Sequence, residues 1–431
     1  MPALPALPRI SRGPAFWLVA TVLLLLMFAA SAPSPLYVVY QARWGFSAAV
    51  LTTVFAVYAL FLLLALLVVG SLSDHLGRRP VLIASALLEA VAMLLFVGAS
   101  GVGWLLVARA VQGVATGAAT GALAAALIDL QPERRPGLGP LINGAFATLG
   151  LAAGALGSGL LVQYAPAPRT LVYVLLLAAF LLAALALTAL PETAVRRPGA
   201  ARSLLPRARV PRQARRAFTA LVPGMIANWA VGGLYLSLVP SLVARVLHVG
   251  NHLVGGLAIA TLCAAATVSS YAMRGRAARP QLVLGSAALA VGMLGTLAAL
   301  ELDSLALLFV TTAVAGVGFG VAFLGTLSTL GPLAAAGERA ELFATLYVVN
   351  YLAFSLPAVV AGFAVPHAGL LRTAVVYGGV VAALSVASLV AALLMGRQQP
   401  GEARPLASST GQEASDASAQ ESTAQRAGRK A

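Results

Sequence analysis

The chain has 431 residues, and 60% of them are hydrophobic whereas only 10% are charged. A soluble domain of this length cannot bury so much apolar surface, so the composition excludes a soluble globular protein and favours a protein of the lipid bilayer. The net charge of +15 does not indicate nucleic-acid binding, because the arginines are spread over many short polar segments and form no single basic face.

Twelve apolar runs are each long enough to cross a membrane as a helix. About 20 apolar residues span a hydrocarbon layer of about 30 Å. The first run follows two arginines, as in a secretory signal, but it stays apolar to Tyr40 and we interpret it as an uncleaved first helix. The predicted spans are residues 15–41, 48–70, 80–98, 102–129, 138–163, 170–190, 217–245, 252–273, 281–299, 304–331, 341–366 and 371–395.

The basic residues predict how these spans are oriented. When the N-terminus is placed in the cytoplasm, most of the 28 lysines and arginines fall in segments on that side. Loops rich in positive charge resist translocation, so this orientation is favoured. The sequence therefore predicts a multi-pass protein of the cell inner (plasma) membrane with both termini cytoplasmic.

An internal repeat predicts two halves of six spans each. The string SLSDHLGRRPVLIAS is echoed 200 residues later by YAMRGRAARPQLVLG, and AVQGVATG is echoed by AVAGVGFG. Because six is even, both halves have the same orientation and are related by an axis along the membrane normal. The predicted divisions are a cytoplasmic N-terminus over 1–14, bundles over 15–190 and 217–396, a basic cytoplasmic linker over 191–216 that can contact anionic lipid headgroups, and a disordered tail over 397–431.

Three strings resemble signatures of one transporter family, the major facilitator superfamily. GSLSDHLGRRP resembles the signature between the second and third helices, RAVQG the fourth-helix signature, and GLAAGALGSG the glycine-rich fifth-helix signature of its antiporters, with Ala155 in place of a proline. The resemblance implies an all-α membrane protein whose twelve transmembrane helices form two pseudo-symmetric six-helix bundles, most like the twelve-helix drug/proton antiporter-type exporters. The matched residues are Gly70, Asp74, Gly77, Arg78, Arg79, Arg109, Gln112, Gly113, Gly150, Gly154 and Gly159.

The resemblance also implies a conformational latch at the cytoplasmic end of the first half. In the family, the aspartate of the first string faces the second half, and its first arginine pairs with an acid at the inner end of the fourth helix. The alternative is that these charges only set the topology. The latch set is Gly70, Asp74, Gly77, Arg78, Arg79 and Asp129.

The second half departs from this pattern at the equivalent loop. Arg274 stands at the position of Asp74, and Ala277 replaces the turn glycine, so no acid remains there. The latch is therefore predicted to be one-sided.

Two charged residues lie inside apolar spans and are candidates for proton coupling. An intramembrane ionisable group is costly unless it is paired or hydrated, which makes Glu89 and Arg109 functional candidates. The third and fourth helices are antiparallel, and a rise of about 1.5 Å per residue puts Glu89, Arg109 and Gln112 in one cluster. One interpretation is that protonation of Glu89 is coupled to alternating access; the other is a buried ion pair with a packing role.

Glycines and polar or aromatic side chains predict helix packing and the substrate cavity. Spacing by four puts Gly113 and Gly117 on one face of the fourth helix and Gly150 and Gly154 on one face of the fifth. The cavity candidates lie on helices that line the cavity in the family, although an aromatic stripe is also a common form of packing. They are Tyr37, Gln41, Asn143, Asn228, Trp229, Tyr235, Tyr347, Asn350 and Tyr351.

The implied pocket is large, aromatic and nearly uncharged. Proton-coupled multidrug exporters of the family often carry an acid in the first helix, and this first span has none between Pro14 and Gly45. The resemblance therefore favours neutral amphipathic compounds over cations as the exported substrate. The sequence thus predicts a secondary active transporter that moves a small organic molecule by alternating access, as proton-coupled efflux of drug-like or amphipathic compounds. An importer or facilitator of a sugar or organic acid, and a non-transporting membrane sensor, remain alternatives.

Other classes of protein lack their usual sequence signals. A nucleotide-driven pump needs a P-loop lysine, but the sole lysine is Lys430. His248 and His252 have no clear third ligand, so no metal site is predicted. We expect no enzymatic activity, catalytic residue or cofactor, and a monomer whose partners are its substrate, protons and membrane lipid.

Overall fold

The structure is a computed structural model that describes residues 9–194, 204, 208–335 and 338–395. The described residues form helices and turns, and no strand occurs among them. Residues up to Ala392 belong to one compact unit, and those from Leu393 onward belong to a second, of which only the end of the last helix is described. The predicted tail, most of the predicted linker and the first eight residues of the predicted N-terminus lie outside the described residues.

Twelve apolar helical segments correspond to the twelve predicted spans and are labelled α1 to α12. Within the described ranges, eleven are long and apolar enough to cross a membrane, and Leu171–Leu187 is a shorter apolar helix. The segments are α1 (Arg12–Trp44), α2 (Ala48–Val69), α3 (Arg78–Val97), α4 (Val102–Leu130), α5 (Leu138–Tyr164), α6 (Leu171–Leu187), α7 (Arg215–Ser237), α8 (His252–Met273), α9 (Ala278–Glu301), α10 (Leu305–Leu330), α11 (Arg339–Ala368) and α12 (Leu370–Met395).

The sixth helix is shorter than its predicted span of 170–190. The α6 helix ends at Leu187 and is followed by turns up to Leu190. Pro191 comes next, and the residue before a proline is sterically disfavoured in the helical conformation. The 17 residues of α6 extend roughly 26 Å at about 1.5 Å each, which is close to the thickness of the hydrocarbon layer.

Two crossings are interrupted beside prolines. The α1 crossing consists of Arg12–Ser31 and Pro33–Trp44, and α7 is followed after Leu238 by a separate short helix, Val239–Arg245. The single span expected over 217–245 is therefore two helices, because the ring of Pro240 cannot donate a backbone hydrogen bond and clashes with the preceding turn. Both breaks lie in the first crossing of their half, so the two halves share this feature.

Each half of the chain has its own hydrophobic core. One core is built from the first half and includes Tyr37 and Tyr173, and the other is built from the second half and includes Tyr235 and Met293. A smaller apolar cluster joins them, and the halves meet mainly where α2 packs against α11 and α5 packs against α8. The fold is thus two pseudo-symmetric six-helix bundles, while the bundle boundaries given above stay a prediction.

Glycines bring helices close together at equivalent places in the two halves. On α4, a Cβ atom at Gly113 would lie 2.5 Å from the backbone oxygen of Tyr58 on α2, and Gly117 faces α2 in the same way. On α10, Gly316 and Gly320 face the backbone of α8 in the same manner. These glycines therefore lie where only a hydrogen atom fits between two helices.

The glycines of α5 pack against two different helices. A Cβ atom at Gly150 would lie 2.7 Å from the backbone oxygen of Leu24 on α1, and Gly154 also faces α1. A Cβ atom at Gly159 would lie 3.3 Å from the Cα atom of Leu253 on α8. The α5 helix thus contacts its own half through one pair of glycines and the second half through Gly159.

Candidate functional site

A group of charged side chains, called here the charged cluster, lies where α2 and α4 end and α3 begins. After α2 the chain forms a short helical turn, Ser73–Leu76, and α3 starts directly after Gly77. Gly77 has a φ of 107°, which side chains disfavour, and a Cβ atom there would collide with the carboxylate of Glu192. The charged cluster consists of Asp74, Arg78, Asp129 and Glu192.

Arg78 is the centre of the charged cluster. It forms an ion pair with Asp74, and its Nε lies 3.5 Å from Oδ2 of Asp129. Its Nη1 also donates to the hydroxyl of Ser73 at 2.8 Å. The structure thus brings Arg78 and Asp129 together, whereas within the described residues Asp74 pairs with Arg78 and with no residue of the second half.

Glu192 belongs to the charged cluster although the sequence analysis did not include it. Its carboxylate accepts hydrogen bonds from the backbone N–H groups of Arg78 at 2.8 Å and Arg79 at 3.2 Å. It therefore caps the N-terminus of α3, where N–H groups lack helical partners and the helix dipole favours negative charge. The neighbouring Thr193 donates to Oδ2 of Asp129 at 2.9 Å. The available signal was the string LPET, which puts an acid just after the sixth helix.

Gly121 on α4 allows that helix to approach the backbone of Gly70 beside the charged cluster, because a Cβ atom at Gly121 would lie 2.8 Å from the backbone oxygen of Gly70. Arg79, the last member of the predicted latch set, is partly buried in the first turn of α3. The predicted latch residues therefore lie in one region of the first half.

The buried polar centre of the first half is built around Arg109, whose side chain is fully buried. Its Nε donates to the hydroxyl of Tyr37 at 2.8 Å, and its Nη1 donates to Oε1 of Gln112 at 2.7 Å and to the carbonyl of Ala30 at 3.1 Å. The group of Tyr37, Arg109 and Gln112 is called here the arginine centre.

The break in α1 provides acceptors for the arginine centre. In an intact helix the carbonyl of Ala29 accepts the N–H four residues later, but that residue is Pro33, which has none. The amide Nε2 of Gln112 donates to this carbonyl at 2.9 Å instead. A local property of the sequence, the proline in α1, thus produces the acceptor that positions Gln112.

Two aromatic rings stabilise the charge of Arg109. The guanidinium carbon lies 4.8 Å from the ring centroid of Tyr58 on α2 and 5.7 Å from that of Tyr37. A cation over a desolvated aromatic face is stabilised by the ring quadrupole. The Nη2 atom of Arg109 has no hydrogen-bond partner among the described residues, so the charge is held by neutral groups.

Glu89 does not form the ion pair with Arg109 that one interpretation of the sequence expected. It is fully buried, and its Oε1 accepts a hydrogen bond from Thr116 at 2.9 Å, while Oε2 has no partner in the described part of the chain. No ion pair within 4.0 Å joins it to Arg109 there. The reason is that the Arg109 side chain bonds to α1, at the hydroxyl of Tyr37 and the carbonyl of Ala30, rather than to α3.

Aromatic side chains from both halves form a second feature, called here the ring cluster. The ring centroid of Trp229 on α7 lies 5.1 Å from Tyr351 and 5.9 Å from Phe354, both on α11. Phe354 in turn lies 4.8 Å from Phe55 on α2, so the cluster connects the halves. The ring cluster consists of Phe55, Trp229, Phe323, Tyr347, Tyr351 and Phe354.

Tyr58 connects the ring cluster to the arginine centre. Tyr58 makes a cation–π contact with Arg109. It also belongs to a small apolar cluster against which Tyr351 packs. Tyr58 therefore lies between the arginine centre and the ring cluster.

The remaining cavity candidates divide between the ring cluster and other places. Asn228 and Asn350 are buried, and they directly precede Trp229 and Tyr351 in the sequence. Asn143 is half-buried on α5. Tyr235 instead lies in the core of the second half. The structure therefore does not bring Tyr235 together with the other candidates on α7 and α11.

Gln41 lies where the halves join, at the end of the helices opposite the charged cluster. Its Oε1 accepts a hydrogen bond from Arg245 at 3.3 Å. Nearby, the backbone N–H of His252 donates to Oε1 of Gln163 at 2.9 Å. These two bonds connect the first half to the second.

Comparisons with known proteins give the family of this fold and these motifs. The sequence profile of the Major Facilitator Superfamily matches residues 19–356. A solved peptide transporter, POT, in complex with alafosfalin has the same fold with a TM-score of 0.71, at 14% identity over 89% of this chain and 94% of that chain.

Two curated relatives match a shorter region. The multidrug resistance protein MdtL of Klebsiella pneumoniae (strain 342) is 34% identical over 121 residues, and MdtL of Shewanella sp. (strain ANA-3) is 32% identical over 121 residues. Each match covers 28% of this chain and 31% of the relative, so the chain aligns with about a third of their length. Because the family profile covers most of the chain and the fold agrees with it, this multi-pass membrane protein belongs to the Major Facilitator Superfamily of transporters.

Proposed function

We propose that this transporter exports drug-like or amphipathic organic compounds in exchange for protons, by alternating access. The observation that carries the proposal is a pair of buried ionisable residues, Glu89 and Arg109, that have no ion-pair partner among the described residues. Arg109 lies one side chain, Tyr58, away from the ring cluster. Such groups are expensive inside a membrane and are functional candidates by default. The partial similarity to multidrug resistance proteins supports the class of substrate.

In this proposal Glu89 carries the proton. Its Oε2 has no hydrogen-bond partner in the described ranges, while Thr116 holds Oε1. Thr116 lies one turn from Gln112 on α4, so Glu89 and the arginine centre are about one helical turn apart. A change in the charge of Glu89 acts strongly over this distance, because the protein interior has a low dielectric constant. Arg109 transmits the change to the broken α1 and, through Tyr58, to the ring cluster.

The charged cluster acts as a latch that holds one of the two access states. Here the halves are joined at the opposite end through Gln41 with Arg245 and Gln163 with His252, while Asp74 pairs within its own half. This combination supports a latch that engages the second half only when the opposite end opens. The second half adds no acid to this latch, because Arg274 stands at the position equivalent to Asp74.

We also propose that the protein is a monomer of the cell inner membrane, in contact with lipid, with both termini cytoplasmic. The arginine distribution supports this orientation. Cys263 is the only cysteine and is buried, so Cys263→Ser gives a background for labelling. In intact cells a membrane-impermeant maleimide should label Gly250→Cys and spare Arg9→Cys, and the reverse pattern would overturn the orientation.

Proton-driven flux in membrane vesicles tests the proposed function. Vesicles that contain the full chain should accumulate neutral amphipathic dyes under an imposed proton gradient, and a protonophore should abolish the accumulation. Cells that produce the protein should also tolerate higher concentrations of toxic amphipathic compounds. Flux of a sugar or organic acid alone, or compound binding without any flux, would overturn the proposal in favour of an importer or a sensor.

A further inference from the structure

We infer that the second-half side of the ring cluster binds an uncharged group of the substrate that both donates and accepts hydrogen bonds, such as an amide attached to aromatic rings. The inference rests on the transport proposed above and specifies the chemistry of the ligand. The residues that carry it are Asn228 and Trp229 on α7 and Asn350 on α11.

These three side chains have buried polar groups without partners. Asn228 is 2% exposed and Asn350 is 0% exposed. Within the described residues, neither amide forms a hydrogen bond through its nitrogen or its oxygen, and the indole N–H of Trp229 forms none. Nearly all buried polar groups in folded proteins have a partner, so five unsatisfied atoms in one region require an explanation. A ligand that donates and accepts would satisfy them.

The three residues lie at the same depth. A Cβ atom at Gly233 would meet the backbone oxygen of Phe354, so these two positions of α7 and α11 are neighbours. Three crossings lie between the two helices, so they run in the same direction. One helical turn earlier on each, Trp229 therefore lies level with Asn350. The Trp229 ring also lies 5.1 Å from Tyr351, the residue after Asn350.

The second half supplies aromatic faces and no charge at this depth. In the described part of the second half, charged residues are confined to the ends of α7 to α12, as with Arg215, Glu301 and Arg372. Aromatic faces alone also attract cations. Amide groups shift the preference, because a site built to hydrogen-bond its ligand discriminates strongly against a ligand that lacks those groups.

Binding of three matched probes to the purified full chain tests the inference. Benzanilide has two rings joined by an amide, trans-stilbene has a similar shape without polar atoms, and benzyltrimethylammonium has one ring and a positive charge. Binding is followed as the quenching of tryptophan fluorescence that disappears in Trp229→Phe. Because this readout requires no proton gradient and no flux, it can fail while the transport proposal stands, and transport can fail while binding stands.

We expect Asn228→Leu and Asn350→Leu each to weaken benzanilide binding about tenfold and to leave stilbene binding unchanged. Both variants should unfold at the same temperature as the parent or higher, since they remove buried groups that have no partner. The matched control is Thr296→Val, which removes a bonded hydroxyl of the same half; it should lower the unfolding temperature and leave benzanilide binding unchanged. Tight binding of benzyltrimethylammonium, absence of benzanilide binding at millimolar concentration, or destabilisation by both Leu variants would overturn the inference.

Discussion

The polar centres of the two halves occupy equivalent positions, but only the first contains a charge. Aligning Gly113 with Gly316 puts Thr312 of α10 at the position of Arg109 of α4. In the first half Arg109 bonds to Tyr37 on α1, and in the second Thr312 bonds at 2.8 Å to the hydroxyl of Tyr235 on α7, the equivalent crossing.

The two centres hold equivalent helices together by different chemistry. The second centre is satisfied by hydroxyl groups alone, since Tyr235 also bonds to Thr296 at 3.2 Å, and such a network fixes helices without a charge. The arginine centre, together with Glu89, keeps a guanidinium and a carboxylate away from water. In the described part of the chain, Nη2 of Arg109 and Oε2 of Glu89 have no hydrogen-bond partner. That arrangement is costly for a scaffold and is suited to a switch.

The loops after α2 and α8 differ in the same sense. The first loop pairs Asp74 with Arg78 and caps α3 with Glu192. In the second, the amide of Gln281 donates to the carbonyls of Met273 at 3.0 Å and Arg276 at 3.2 Å. A neutral amide thus closes the second loop where carboxylates close the first.

Replacing the buried charge of the first half should change transport more than any other substitution, and more than the equivalent change in the second half. Arg109→Met removes hydrogen bonds to a charged group and leaves Tyr37 and Gln112 without their donor, which should reduce transport by about a hundredfold or more. Thr312→Val, the equivalent change in the second half, should retain most activity. The measurement is proton-driven flux per inserted protein molecule.

If the Arg109→Met variant does not insert into the membrane, Arg109→Lys provides a second test, because lysine keeps the positive charge. Lysine lacks the planar fork that bonds to Tyr37, Gln112 and Ala30 together, so its flux should also fall well below the parent. Normal flux in both variants would show that the two centres are equivalent scaffolds.

Neutralising Glu89 should separate coupling from substrate movement. In Glu89→Gln, gradient-driven accumulation should fall about tenfold, within the range of coupling free energies of about 1–3 kcal/mol, while exchange of substrate without a gradient persists. Glu301→Gln, at the exposed end of α9, is the matched control and should behave like the parent. Equal loss of coupled and uncoupled flux would instead indicate a packing role for Glu89.

Glycine substitutions should destabilise both halves equally, because the two halves have the same close helix packing although only the first has a buried charge. Gly117→Ala and Gly320→Ala each force a methyl group into the backbone of a neighbouring helix and should cost about 1–3 kcal/mol of stability. In Gly379→Ala the methyl group meets nothing within 4 Å, so stability should hold or rise. Thermal unfolding in detergent measures all three, and a stable Gly117→Ala would contradict the close contact of α4 with α2.

Changes in the exposed loops should have the smallest effect. The Asp74 side chain is 49% exposed, so its ion pair contributes little to stability, and Asp74→Asn should leave folding intact. We expect its flux to fall about threefold, which corresponds to less than about 1 kcal/mol, because the latch loses its charge. Arg274→Asn should change flux less than that, and unchanged flux in Asp74→Asn would count against the latch.

The sequence predicted most of the fold because membrane helices are specified locally. Apolar runs of sufficient length, separated by charged loops, suffice to count the crossings, and the repeat indicates the two bundles. It missed the end of α6 before Pro191 and the break of α7 at Pro240, since hydropathy does not respond to a proline inside an apolar run. It also identified Arg109, Gln112 and Glu89 as one group by depth, but depth does not determine the direction of a side chain.

What the sequence alone determined is therefore the family, the number of crossings and the types of residue that lie inside the membrane, because these depend on composition and spacing along one helix. Which groups meet depends on the tertiary structure. In the structure Arg109 bonds to Tyr37, Gln112 and the carbonyl of Ala30 on the broken α1. Glu89 bonds to Thr116, and Tyr235 lies in the core of the second half. Those contacts depend on how neighbouring helices are rotated about their axes, and that rotation is fixed by packing between distant parts of the chain.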